Sequence, residues 1–434
     1  MTNNPATPEL NMDLRDYLVP TVRSGALAST LIFSGGVAAA QEMSRESRAD
    51  DAAMEERAQE IESKPYTVKS GDFRLLMAPQ LGIRYNDNIS VSTANQQKDW
   101  ILRPAVQFTA SYPIGKRNLF LLDADIGYDQ YFDHPQYSAI TVVSGSRASF
   151  DIYAEEFAIN LHDRFSYTRD PGTVAAVANT AVYGGFDNTV GMSVTRDYLD
   201  FVPSIGYDHR NFVASSSQFA YQDSGSELLN GRAGFRVHPT VVTGLEAAGS
   251  FTTYDERVLN NNTGWTGGAY AEWQPDRYLH FTARGGYAAF HFDQTSTTLN
   301  AQDQNSWYLG ITLNHDITES ISYAVAGGHE LQLGVSTDTI EDWYARASVN
   351  WKIIKGLIFI TALSYENGTQ GATTAESTAE EHFNWFTCNV GLTHPITKNL
   401  EASLDYRFTI RSSNLAARDY TQNLVGLRLT YLLK

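Results

Sequence analysis

The sequence predicts an all-β protein: a transmembrane, antiparallel, up-and-down β-barrel of about eighteen strands, preceded by a signal peptide and a short helical or disordered segment. Three observations lead there. Apolar side chains alternate with polar or small ones from Phe73, Leu75, Met77, Pro79, Leu81, Ile83 and Tyr85 to the end of the chain, the period of a strand whose two faces meet different surroundings. The alternating segments are joined by connections that are long and short in turn, and aromatic residues collect at their ends, as in the loops, turns and girdles of an outer-membrane barrel. Composition fits, with 24 Tyr, 21 Phe, 7 Trp and 32 Gly against 13 Pro in 434 residues. No run of ~20 apolar residues could form a membrane helix. The formal charge of -17 excludes the basic footprint of a nucleic-acid binder.

Residues 1–40 read as a signal peptide. Arg15 and Arg23 precede a weakly apolar stretch from Ser24 to Ala40 that ends in Ala38, Ala39 and Ala40, which places cleavage before Gln41. Met12 is an alternative start that leaves both arginines in a short positive leader. Residues 41–71 form a charged periplasmic helix or linker, and 41–64, free of aromatics, could plug the barrel or touch a partner. The barrel then occupies 72–434.

Eighteen strands are expected at 73–85, 99–112, 118–131, 142–152, 157–169, 187–196, 199–209, 226–238, 241–254, 264–274, 278–291, 305–315, 320–332, 342–353, 357–366, 383–394, 400–410 and 422–433. Connections after the odd strands are long and rich in Asn, Asp, Ser, Thr and Gln; those after the even strands are short. Long loops then lie outside, and the turns and both termini in the periplasm. The segments YPIGKRNL (from Tyr112), HDITESI (from His315), WKIIKGL (from Trp351) and HPITKNL (from His394) repeat one design of ring residue, tight turn and new apolar position. Each is a hairpin corner that sets register.

Parity separates the faces. On the seventeenth strand Leu400, Ala402, Leu404, Tyr406 and Phe408 alternate with Glu401, Ser403, Asp405 and Arg407; lipid takes the first set. A charge on that face costs about 2–4 kcal/mol at mid-bilayer, so charges test the assignment. Arg84, Arg103, Arg147, Arg164, Arg232, Arg236, Arg284, Arg346 and Arg428, with Asp123, Asp125, Glu246 and Glu272, all fall on the non-apolar parity and are the expected lumen lining. Asp163 and His329 break the rule, through an interfacial position or a local bulge. Tyr85, Trp100, Tyr112, Tyr128, Trp265, Trp273, Trp307, Trp343, Trp351, Tyr406 and Tyr431 sit at strand ends, where amphipathic rings suit the two headgroup levels.

The stretch from Pro79 to Ile89 (PQLGIRYNDNI), followed by Asp99 to Pro104 (DWILRP), resembles the opening hairpin of the β-barrel porin 2 family. The resemblance implies a bacterial outer-membrane barrel associated with exopolysaccharide or capsule production. It covers about 73–434, with only the first hairpin motif-like. The chain departs from the usual terminal aromatic residue, ending Tyr431, Leu432, Leu433, Lys434.

No zinc spacing, phosphate-binding glycine loop or nucleophile elbow is present, so neither metal nor cofactor is expected. Cys388 is alone and shares the apolar parity of Phe386 and Val390. His329-Glu330 and His162-Asp163 are sequence neighbours, whose side chains point to opposite faces of a strand. The reading that follows is a non-enzymatic outer-membrane pore for small hydrophilic solutes, with possible ties to exopolysaccharide export. Its partners are outer-membrane lipids, the barrel assembly machinery and small solutes or saccharides. The alternatives are a non-conducting adhesion or secretion scaffold and, less favoured, a barrel-borne hydrolase. Solute, oligomeric state and the inward folding of loops are not legible in the chain.

Overall fold

The computed structural model describes residues 65–434 except 116, 197, 199, 298, 355 and 372–379. The expected signal peptide and the charged segment 41–64 lie outside the described residues. A three-residue strand, β1 (Val68–Ser70), precedes eighteen long ones. These are β2 (Phe73–Asn86), β3 (Asp99–Ile114), β4 (Asn118–Tyr131), β5 (Ala139–Ala154), β6 (Phe157–Tyr167), β7 (Gly185–Arg196), β8 (Phe201–Ala214), β9 (Ser224–His238), β10 (Val241–Tyr254), β11 (Asn262–Trp273), β12 (Leu279–Phe292), β13 (Gln304–Thr318), β14 (Ile321–Leu333), β15 (Thr339–Ile354), β16 (Leu357–Gln370), β17 (Glu381–Pro395), β18 (Leu400–Ser413) and β19 (Tyr420–Tyr431). From β2 onward each strand pairs antiparallel with the next, and β19 pairs with β2 from Leu424↔Asn86 to Thr430↔Gln80. The sheet closes and satisfies its own backbone, the requirement for a strand-built membrane span.

All eighteen expected strands correspond to β2–β19. β13 runs three residues further at its turn end, to Thr318, and the largest differences are at the loop ends, where Leu357–Gln370 replaces 357–366 and Leu400–Ser413 replaces 400–410. There the ladder continues above the apolar band, where both faces meet polar surroundings and alternation no longer marks a strand. Most loops are correspondingly shorter than expected, down to 334–338 and 414–419, while the one between β6 and β7 keeps its expected length. The four repeated corners are all short connections, those after β3, β13, β15 and β17. Between β15 and β16, Gly356 takes φ +85° and the register slips from Lys352↔Ile358 to Ile354↔Leu357, a bulge that fits the turn to the strand twist.

The burial pattern is inverted relative to a soluble protein. On β10 Leu245 is 63% exposed, whereas Glu246, its neighbour on the other face, is 9% exposed. The same holds around the barrel: Leu81, Ile205, Leu404 and Leu427 are exposed, and Asp208, Arg232 and Arg411 are buried. Such an apolar exterior is stable only against an apolar solvent. Most of the expected aromatics are exposed on this outer face, in two tiers. Trp100, Tyr128, Trp265, Trp307, Trp343 and Tyr406 lie toward the loops, with the ring of half-exposed Tyr85 tilted against Trp100 at 5.1 Å. Tyr112, Trp273, Trp351 and Tyr431 lie toward the turns.

Both parity exceptions keep their outward position and find partners. Asn188 Nδ2 donates to Asp163 Oδ1 at 2.5 Å. The His329 ring lies 4.1 Å from Trp307 and 4.9 Å from Trp343, and its Nδ1 donates to the Trp307 carbonyl at 2.9 Å. On the inward face, Tyr308 fits against Gly268 and Gly286, and Tyr344 against Gly328; glycine makes room where a ring crosses a neighbouring strand. At the closing seam the β1 hairpin covers the lower edge of β2, with Val68↔Leu75 and Ser70↔Phe73 paired. Thr67 Oγ1 accepts from Met77 N at 2.9 Å and donates to the Leu433 carbonyl, tying the chain end into the seam.

Candidate pore constriction

The polar chemistry lies on the face opposite the exposed apolar side chains, and the thirteen residues expected at the lumen share that parity. Most of the arginines among them are paired. Arg84 pairs with Asp129 at 2.8 Å, Arg103 with Asp125 at 3.3 Å and Arg346 with Glu366 at 3.0 Å. Arg232 bridges Glu246 at 2.9 Å and Glu272 at 3.1 Å while its guanidinium stacks 4.6 Å from Tyr270. Tyr308 donates to the other oxygen of Glu246 at 2.9 Å. Arg164 lies 3.9 Å from Asp208. Register sets Arg147 between Asp123 on β4 and Arg164 on β6. Arg284 faces the Tyr308 ring at 5.9 Å. Arg236 lies opposite Val242 on β10, and Arg428 between Ser403 and Gly82. In a low-dielectric wall an unpaired guanidinium is costly, so cross-strand carboxylates take up the charge.

Loop 168–184, between β6 and β7, folds inward and docks on β18 and β19. Asp170 Oδ2 accepts from Arg407 Nη2 at 2.7 Å. Arg411 Nε donates to the Ala175 carbonyl at 2.7 Å, and Arg418 Nη2 to the Ala176 carbonyl at 2.8 Å. Both arginines also reach Glu381, each at 2.7 Å, and Ser413 Oγ donates to the same oxygen at 2.6 Å. Arg411 and Glu381 side chains are fully buried. A side chain at Gly172 would run into Gln422 and Arg407, so glycine permits the close approach. Burial alone would raise the Asp170 carboxyl; the Arg407 guanidinium, with Arg84 and the Gly172 amide, more than offsets this and holds it below its ordinary range.

Other loops brace this strap. Asn179 N donates to the Val91 carbonyl at 3.0 Å. Tyr183 donates to Gln222 Oε1 at 3.1 Å, and Gln222 Nε2 donates to the Val335 carbonyl at 2.5 Å. Val91, Ala175, Ala176, Ile340, Phe383, Trp385 and Tyr420 form an apolar core within the barrel. Four loops thus converge inside the wall.

Asp170, Glu381, Arg407, Arg411 and Arg418 are absent from the sequence-based list of site residues. Arg407 was legible by parity; Arg411 and Glu381 sit where strands outrun the visible alternation, and the partner loop has no periodicity.

The inner wall also holds His162, whose Nε2 lies 2.6 Å from Asp208 and Nδ1 2.8 Å from Asn160 Oδ1. Ser149 is opposite in register, but its hydroxyl has no hydrogen-bond partner among the described residues. The histidine is engaged elsewhere and does not activate the serine, as a nucleophile would require. Among the described residues no group of three or more His, Cys, Asp or Glu is placed to hold a metal.

No family model matches the chain, and no curated protein matches it. Similar solved structures include OpdL of Pseudomonas aeruginosa, 12% identical over 84% of this chain and 100% of that chain, with a TM-score of 0.43. The outer membrane protein OpdK of the same organism is 12% identical over 82% of this chain and 99% of that chain, with a TM-score of 0.44. OccAB4 of Acinetobacter baumannii is 10% identical over 84% and 99% respectively, with a TM-score of 0.42.

Proposed function

We propose that this chain is an outer-membrane diffusion channel for small hydrophilic solutes, its aperture set by the inward loop 168–184. The observation that carries the reading is the Asp170–Arg407 contact, which ties that loop to β18 inside the barrel. Barrels of 16–18 strands enclose an aqueous interior, and a strap across it narrows the path. The apolar outer band with aromatic tiers supports an outer-membrane location and outer-membrane lipids as surroundings. The paired wall argues for weak charge selectivity, with a modest anion preference from three arginines at the strap against Asp170 and Glu381. Reversal potentials in a planar bilayer under a salt gradient test this; strong cation selectivity would overturn it.

The resemblance of 79–104 to the β-barrel porin 2 family supports saccharides as cargo and a link to exopolysaccharide or capsule export. Closure by β19 supports recognition of the last strand by the barrel assembly machinery. The wall chemistry supports a non-enzymatic role.

A second reading has its own observation. The apolar core shared by the loops is what a closed, non-conducting scaffold would use. Silence of the intact protein, with conductance appearing once 171–182 are deleted, would favour it.

A further inference from the structure

Ion-paired arginines of the inward face are nearly sealed, with side-chain exposures from 0% at Arg411 to 24% at Arg84. Arg210 on β8 departs from them at 46%. It shares the inward parity of Asp208, which meets His162 inside the wall. Its Nε donates to Asp187 Oδ1 at 2.9 Å and its Nη2 to Oδ2 at 2.7 Å, and Asp187 is itself 35% exposed. This fork uses two of the five guanidinium N–H groups and one lone pair on each carboxylate oxygen, leaving three donors and further acceptor capacity. The pair has no net charge.

Hydroxyl-bearing side chains lie around it. Tyr183, where loop 168–184 returns to the wall, and Tyr254, at the end of β10, lie within electrostatic reach of the guanidinium. Ser226, opposite Arg210 in register, shares a 2.9 Å hydrogen bond with Thr252. An anionic solute taking the remaining guanidinium edge would sit beside the Asp187 carboxylate, and the neutral pair offers it no net attraction. Vicinal hydroxyls both donate and accept, so they can take the remaining groups with the ion pair intact.

We propose that the Arg210–Asp187 pair is a contact site for a neutral polyhydroxylated solute, a saccharide. Its use in transport rests on the pore reading, but binding does not require conduction. Titration calorimetry of the detergent-solubilised protein with maltotriose and with gluconate tests it. Maltotriose should bind more tightly than gluconate, and Arg210→Ala and Asp187→Asn should each weaken it at least tenfold. Arg210→Lys keeps the charge but loses the fork, and should weaken it similarly. Failure of the unaltered protein to bind maltotriose, tighter binding of gluconate, or equal binding by parent and variants overturns the proposal. Heat-dependent gel mobility identifies the folded variants to be compared. Bilayer recordings on the same preparations separate the two readings: a conducting barrel that ignores maltotriose loses the contact site, and a silent barrel that binds it loses the pore.

Discussion

At Glu381 one buried carboxylate holds Arg411 and Arg418, while both arginines hold main-chain carbonyls of the inward loop. Removing that charge strands Arg411 in a fully buried position, which costs about 3–5 kcal/mol for a broken buried pair. Glu381→Gln should therefore lower the temperature at which the barrel loses its folded gel mobility; an unchanged transition would mean the cluster is solvated. Asp170 gives a pH signature. Its folded-state pKa is depressed, so its contribution is complete above the unfolded value of about 3.9 and is lost as pH falls through the lower folded value. Limited proteolysis of loop 168–184 should stay constant from neutral pH to about pH 5 and rise only below the ordinary carboxylate range. Asp170→Asn should give rapid cleavage already at neutral pH and remove the acid step. A step near neutrality in the parent would assign the docking to another group.

Among the elements, β11 carries two adjacent glycines with opposite roles. A side chain at Gly268 would collide with the Gly285 carbonyl and the Tyr308 hydroxyl, whereas at Gly267 nothing lies within 4 Å. Gly268→Ala should destabilise by about 1–3 kcal/mol, the usual penalty for overpacking, and Gly267→Ala should be nearly neutral. Equal effects on thermal stability would refute the assignment of Tyr308 to the inner face. The strands themselves were legible because lipid and interior impose opposite demands on alternate residues. Their upper ends, such as Gly368 to Gln370 on β16, were not, since the contrast between the faces disappears above the membrane. The strap was illegible for a different reason. Asp170 and Arg407 are joined across a sequence separation of 237, and an irregular loop announces neither its direction nor its partner.

For the whole molecule, alternation gave a container and the positions of its charges, but not how those charges are spent. Arginines expected as lumen lining are largely paired in the wall, as Arg84, Arg103, Arg232 and Arg346 illustrate, because neighbouring strands deliver carboxylates at matching heights. The proposed working surface is the strap and the exposed Arg210–Asp187 pair. In the proposed pore, passage depends on how the strap is held more than on total wall charge. Single-channel conductance of the intact protein against the Asp170→Asn, Arg407→Ala double variant addresses this most directly. The expected result is a stable small conductance in the parent and a larger, noisier one in the variant; equal conductance in two folded proteins, or none in either, would contradict a pore narrowed by loop 168–184.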